Sequence, residues 1–175
     1  MLLALDISTT CIGYTLFDSE GTMEEIGYVK MNTKKNYWER LDAFMKEVSH
    51  MENIEHIAIE EPLQSFEGRK SNPQTIAKLN FFNGMVSSSV YSYFGIEPVH
   101  LNVLTVRATA FPGLIKRGQD KSGKMLVWER VTQLEPQLDW KYGPRSRKLL
   151  DENFDMADSY AVGLCMLVML DDQMS

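Results

Sequence analysis

The sequence predicts an α/β domain on a mixed five-stranded sheet, an antiparallel three-strand meander plus parallel strands, flanked by helices. Three observations predict it. The N-terminal third holds three strand-like runs joined by tight polar turns. Ile54–Ile59 is a nearly continuous apolar run, the pattern of a strand covered on both faces. Beyond it, helix-like and strand-like segments alternate.

The elements follow in order. Leu2–Ile7 and Cys11–Phe17 are β-rich runs separated by Ser8-Thr9-Thr10. Asp18-Ser19-Glu20-Gly21 is a turn sequence leading into a third run over Thr22–Met31. Tyr37–Met51 places Trp38, Leu41, Phe44, Met45 and Val48 at three- and four-residue spacing, which predicts an amphipathic helix. The Ile54–Ile59 strand is closed by Glu60-Glu61-Pro62. After the polar stretch 61–73 a long helix is expected from Pro73 to Phe94, with Pro at its start and Gly95 as its cap. Glu97–Leu101 reads as a strand and Val103–Phe111 as a short helix stopped by Pro112-Gly113. Helices are expected over Ser122–Leu134 and Phe154–Leu170, with 135–152 an irregular excursion between them.

The 175 residues, 44% hydrophobic and 24% charged, suit one domain over 1–175 with a substantial core. The opening apolar run meets Asp6 too early for a secretory leader, and Ala161–Leu170 is about half a membrane span. Cys11 and Cys165 stand at neither metal nor redox spacing. They read as buried free thiols, with one long-range disulfide as the alternative. A cytoplasmic protein with no membrane association is expected.

The net charge of −6 argues against a polyanionic partner until its distribution is considered. From Arg107 to Lys148 there are ten Lys/Arg against four Asp/Glu, a segment of +6; the remainder, eight basic against twenty acidic, is −12. A basic segment on an acidic chain is an electrostatic footprint for a polyanion, or else an unevenly charged solvated face.

Asp6 and Glu60 end strongly apolar strands, and Asp155 and Asp158 lie three apart at the head of an apolar helix, on one face with Val162 and Cys165. Taken singly, each has an ordinary reading. Asp6 suits a turn, and the helix pair suits capping, which Asp151 and Asn153 also supply. Pattern alone does not choose between Glu60 and Glu61. Taken together, acids crowded near a core raise one another's pKa and call for cations. Oxygen-only ligation suits Mg²⁺, with Mn²⁺ as a substitute. Two such ions about 4 Å apart serve phosphodiester hydrolysis. His50, His56 and His100 have no ligand-like spacing and read as structural or surface residues.

The segments LALDISTTCIGYTLFD (3–18), IAIEEP (57–62) and FDMADSYAVG (154–163) resemble the bacterial RuvC family of Holliday junction resolvases in order and spacing. Lys78–Gly84, Val106-Arg107 and KMLVWERV (124–131) resemble it more weakly. The resemblance implies an RNase H-like fold, a homodimer and Mg²⁺-dependent cleavage of branched DNA. It places Asp6, Glu60, Asp155 and Asp158 on catalytic metal-binding positions, and Arg107 and Lys124 on basic positions near the scissile phosphate or backbone. Lys121 belongs to the same basic segment. In the loop 61–73, Phe66, Arg69 and Lys70 combine an aromatic with two cations, a mix suited to DNA. The chain departs from the family at Ser8, where Gly is usual, in the longer loop after Glu60, and in the insertion-like 135–152.

Other readings remain at this point. Asp6-Ile-Ser-Thr-Thr also resembles the phosphate turn of actin-like and sugar-kinase phosphotransferases, but those need two domains and a Gly-rich phosphate loop. A non-catalytic DNA-binding protein does not require four acids. A nuclease acting on flaps or RNA–DNA hybrids keeps the chemistry and changes the substrate. The resolvase reading requires two incisions, hence a two-fold dimer. The Pro73–Phe94 helix, with Ile76, Leu79, Phe82, Met85 and Val86, is the candidate interface.

Overall fold

The computed structural model describes residues 1–62, 72–115, 121–145 and 147–174. β1 (Leu2–Ile7), β2 (Cys11–Phe17) and β3 (Met23–Lys30) form the antiparallel meander. β4 (His56–Glu60) pairs in parallel with β1, and β5 (Val99–Leu101) pairs in parallel with β4. The resulting order is β3-β2-β1-β4-β5, with β1 at the centre. The helices are α1 (Tyr37–Val48), α2 (Pro73–Phe94), α3 (Val103–Ala110), α4 (Gly123–Leu134) and α5 (Glu152–Met174).

The boundaries differ from the expected ones for local reasons. β4 begins at His56 because its partner β1 begins at Leu2, and the two pair in that register. β5 is shorter than Glu97–Leu101, since Pro98 lacks the N–H a ladder needs. α5 runs past Leu170, where neither Gly nor Pro interrupts it.

Alternation along the strands sorts the core into two layers. Leu3, Leu5, Ile7, Ile57 and Ile59 pack with α1 and α2 through Leu41, Phe44, Phe82 and Val86. Leu2, Ala4, Phe17 and Ala58 pack on the other face with α3, α4 and α5 through Val106, Val127, Ala157 and Ala161. The even positions of β1 and β4 therefore face α5. Asp6 and Glu60 share that parity, and Glu61 does not.

α5 lies along β2 with matched spacing. Four helical residues rise about 6 Å and two strand residues about 6.7 Å, so every fourth residue of α5 meets every second residue of β2. Gly13 lies under the backbone of Asp155, Thr15 and Ser159 share a buried hydroxyl hydrogen bond of 2.8 Å, and Phe17 fills the space left by Gly163. The closest crossing is at Gly13, where a Cβ would collide with the Asp155 carbonyl. Gly13 is also the register partner of Asp6, so this crossing brings the head of α5 beside the end of β1.

α2 has the expected start and cap: Asn72 accepts from the Thr75 N–H at 2.8 Å, and Gly95 is left-handed. Its apolar surface is not all available to a partner. Phe82 and Val86 are fully buried in this chain's own core, which removes them from the expected interface, and Ile76, Leu79 and Met85 are half-buried. The exposed apolar groups nearby are instead Phe81, 57% exposed, and Trp38 on α1, 70% exposed. Among the described residues no helix is long and apolar enough to cross a membrane.

Replacing Gly13 with alanine is expected to destabilise the fold by about 1–3 kcal/mol or more, the cost of overpacking a tight contact. Urea unfolding checks this; a wild-type midpoint would contradict the close crossing of α5 over β2.

Candidate active site: four carboxylates and two cations

Four acids meet where β1, β4 and α5 converge. Asp6 and Glu60 stand at the carboxyl ends of adjacent parallel strands, one step beyond the Leu5–Ile59 pair. Asp155 and Asp158 come from the first two turns of α5, which Gly13 admits beside Asp6. Asp6 and Asp158 are buried and Asp155 and Glu60 partly so.

Several contacts hold the head of α5. Asn153, fully buried, accepts from the Lys141 N–H at 2.9 Å and donates to the carbonyls of Lys141 and Leu150. It ties the 135–151 excursion to the helix, rather than serving as the cap the sequence suggested. Glu152 pairs with Lys30 of β3. Cys11 hydrogen-bonds Asp155, and burial followed by the nearby Asp155 charge pushes the thiol well up, so it stays a protonated donor. Ser8 also has a local role: its hydroxyl accepts from the Cys11 N–H at 2.9 Å and donates to the Cys11 carbonyl at 2.8 Å, closing the β1–β2 turn. Both cysteines are free and buried, as expected.

Two cations enter the cluster. The Lys124 ammonium, from the start of α4, is 3.3 Å from Asp155 Oδ1 and 3.4 Å from Asp158 Oδ2. The Arg107 guanidinium of α3 lies 3.9 Å from Asp158 Oδ1. Lys121 does not reach the site; it pairs with Glu129 at 2.6 Å. Lys141 likewise pairs with Asp139. The basic segment therefore presents fewer unengaged cations than its count of +6 suggests. Phe66, Arg69 and Lys70 lie outside the described residues.

Two cations for four acids leave an excess of negative charge, and protonation registers it. Burial, then the charges of Glu60 and Asp158, hold the Asp6 carboxyl well above the usual range. Burial and Asp158 push Glu60 up to about 7, against the opposing pull of Arg107 and Lys124. Asp155 and Asp158 are raised chiefly by burial, with Lys124 opposing. Burial works against the Lys124 ammonium, but Asp6, Asp158 and Asp155 outweigh it and raise its pKa.

Hard carboxylate oxygens with unmet negative charge fit Mg²⁺ or Mn²⁺. As they stand, no three described His, Cys, Asp or Glu side chains are gathered closely enough to hold an ion together. The concavity beside the cluster, about 400 Å³, opens at Asp155 and is walled by Thr10, Cys11, Lys30, Lys148 and Leu149.

The histidines stay out of the site. His50 pairs with Glu25 at 2.9 Å, and His100 faces Ser87 on α2.

A mixed sheet of this order, with α5 across its central strands, is the RNase H-like arrangement. Within that class the chain has the fold of solved Holliday junction resolvases. It is similar to Thermus thermophilus RuvC in complex with Holliday junction substrate, with a TM-score of 0.66 and 16% identity over 98% of this chain and 94% of that one. The yeast mitochondrial Holliday junction resolvase gives 0.60 and 15%, over 94% and 76%. The fowlpox virus resolvase, in complex with substrate Holliday junction DNA, gives 0.51 and 14%, over 97% and 99%. No protein-family model and no curated protein matches the sequence.

The raised Glu60 carboxyl predicts a pH dependence in metal-free buffer. Between its ordinary value of 4.5 and about 7, the folded protein retains a proton that the unfolded chain has released. That group's contribution to stability therefore falls as pH rises through this window. The melting temperature of Glu60→Gln minus that of wild type should grow from about pH 4.5 to about pH 7 and then level off. A flat difference would contradict the crowding of Glu60.

Proposed function

We propose that this protein is a divalent-metal-dependent endonuclease that resolves four-way (Holliday) junctions by paired phosphodiester hydrolysis. The observation that supports this most is the crowding of Asp6, Glu60, Asp155 and Asp158 on a fold shared with junction resolvases. In this reading the four acids hold Mg²⁺, for which Mn²⁺ substitutes. When bound, the ions supply water activation and stabilisation of charge on the leaving oxygen. Arg107 and Lys124 are the positive groups nearest the acids and meet the phosphate being cut. Lys121 and the rest of the 107–148 segment serve the flanking backbone, so binding weakens with salt. Phe66, Arg69 and Lys70 are proposed to contact DNA from the loop after β4. The free buried thiols are in keeping with a cytoplasmic protein.

One domain of this kind carries one carboxylate cluster, and a junction needs two incisions. A homodimer is therefore part of the proposal. The surface that fits a second copy is the exposed patch of Trp38 and Phe81 beside a shallow groove of about 430 Å³ lined by Gly84, Met85 and Ser88. Its small residues permit close approach, and its aromatic rings gain by leaving water.

Asp6→Asn, Glu60→Gln, Asp155→Asn and Asp158→Asn should each lower junction cleavage by about a hundredfold or more, at least the cost of disturbing a metal site's supporting groups. Junction binding should survive, and Glu61→Gln should be mild. Full cleavage by Asp158→Asn would return the α5 pair to a structural role. A labelled panel of junction, flap, fork, hybrid and linear duplex distinguishes the resolvase from a nuclease of other substrate. Preference for flap or hybrid would overturn the junction assignment and leave the metal site intact.

Sedimentation at micromolar concentration should give a dimer for wild type and a monomer for Trp38→Glu/Phe81→Glu. A wild-type monomer that stays monomeric on junction DNA while cutting both strands would overturn the dimer.

A further inference from the structure

We infer that Lys124 is a resident cation of the carboxylate cluster, which a divalent ion must displace and a DNA phosphate receives. The inference rests on the metal-binding reading of the four acids and adds a regulation to it. Part of the coupling between metal and DNA would run through this one side chain.

The geometry that carries it is the sharing of one ammonium by two carboxylates, at 3.3 Å to Asp155 and 3.4 Å to Asp158. These are the oxygens an ion would need. While the ammonium holds them, those two oxygens are occupied by a cation already. Ammonium and divalent ion are therefore alternatives for Asp155 and Asp158. Both at once would leave two cations within contact distance of each other.

The two cations of the site differ in freedom to leave. Lys124 extends a long flexible stem from the first turn of α4, and its side chain is 51% exposed. It can swing toward solvent or a phosphate without disturbing the core. Arg107 is only 23% exposed, lies against Gly123, and has a buried Nε with no hydrogen-bond partner among the described residues. It is the fixed charge of the site, and Lys124 is the movable one. Lys121, just before the start of α4, is engaged by Glu129 and does not take its place.

Thermodynamic linkage gives the consequence. If phosphate draws the ammonium away, DNA raises the affinity for metal, and metal raises the affinity for DNA by the same factor. Without DNA the seated ammonium offsets part of the site's negative charge, and metal binds more weakly. The device confines a fully charged metal centre to the moment when a phosphodiester is present.

Binding of Mn²⁺, followed by the loss of the free-ion electron paramagnetic resonance signal, tests this without reference to turnover. In DNA-free protein, Lys124→Met should bind Mn²⁺ about tenfold tighter than wild type, a factor within the usual range of coupled sites. Lys124→Arg, which keeps a cation, should remain close to wild type. Lys46→Met, which removes the partner of Asp42 on the opposite layer, should change nothing. In chelator, Lys124→Met should melt below wild type, and Mn²⁺ should restore it. A four-way junction with phosphorothioate strands, which keeps the charge and slows cleavage, should tighten Mn²⁺ on wild type by a larger factor than on Lys124→Met; an equal factor on both would overturn the inference. If Lys124→Met folds only when Mn²⁺ is present, the ammonium's role as stand-in is supported. Equal or weaker Mn²⁺ binding by Lys124→Met would overturn the inference and leave the metal site standing. Absence of Mn²⁺ binding in every variant, with and without junction, would overturn the metal reading itself.

Discussion

Four carboxylates forced into one place are the constraint on which the rest of the molecule turns. Asp6 and Glu60 arrive together because β1 and β4 are adjacent, parallel and in register. Asp155 and Asp158 arrive because α5 can approach β2 to backbone contact at Gly13. Burial raises the affinity of these acids for protons, and their neighbours' charges add to the effect. A fold selected only for stability gains nothing from this arrangement. It is tolerated because an apolar sheet, filled on both faces, supplies the stability elsewhere.

The surrounding structure can be understood as support for that crowding. The Thr15–Ser159 hydrogen bond and the fit of Phe17 to Gly163 fix the rotation of α5 on β2. Asn153 and the Lys30–Glu152 pair fix its head, and Cys11 donates to Asp155 from the strand beneath. On the open side, Arg107 and Lys124 offset part of the charge. In the proposed reading, the imbalance that remains is the physical motive for a divalent ion, and it would link the geometry to phosphodiester chemistry.

Much of this was legible in the sequence, and the reasons are specific. Apolar runs ending in acids revealed β1 and β4, and the three-residue spacing of Asp155 and Asp158 showed that they share a face. The choice between Glu60 and Glu61 needed the sheet: once β4 pairs with β1, parity turns Glu60 toward α5. Gly13 looked like an ordinary strand residue because its importance lies in a helix more than a hundred positions away. Lys124 was expected near the scissile phosphate or backbone by resemblance, but neither that nor a count of charges says that it turns inward onto Asp155 and Asp158. The apolar surplus of α2 was visible, but its division between core and surface was not: periodicity did not separate the buried Phe82 from the exposed Phe81.

The central claim is that Asp6, Glu60, Asp155 and Asp158 together bind the ions that serve cleavage. Anomalous scattering from crystals grown with Mn²⁺ and junction DNA tests it most directly. The account predicts manganese peaks ligated by these four carboxylates, with the Lys124 ammonium moved off Asp155 and Asp158. Manganese bound at other acids, with Lys124 still seated between Asp155 and Asp158, would contradict it.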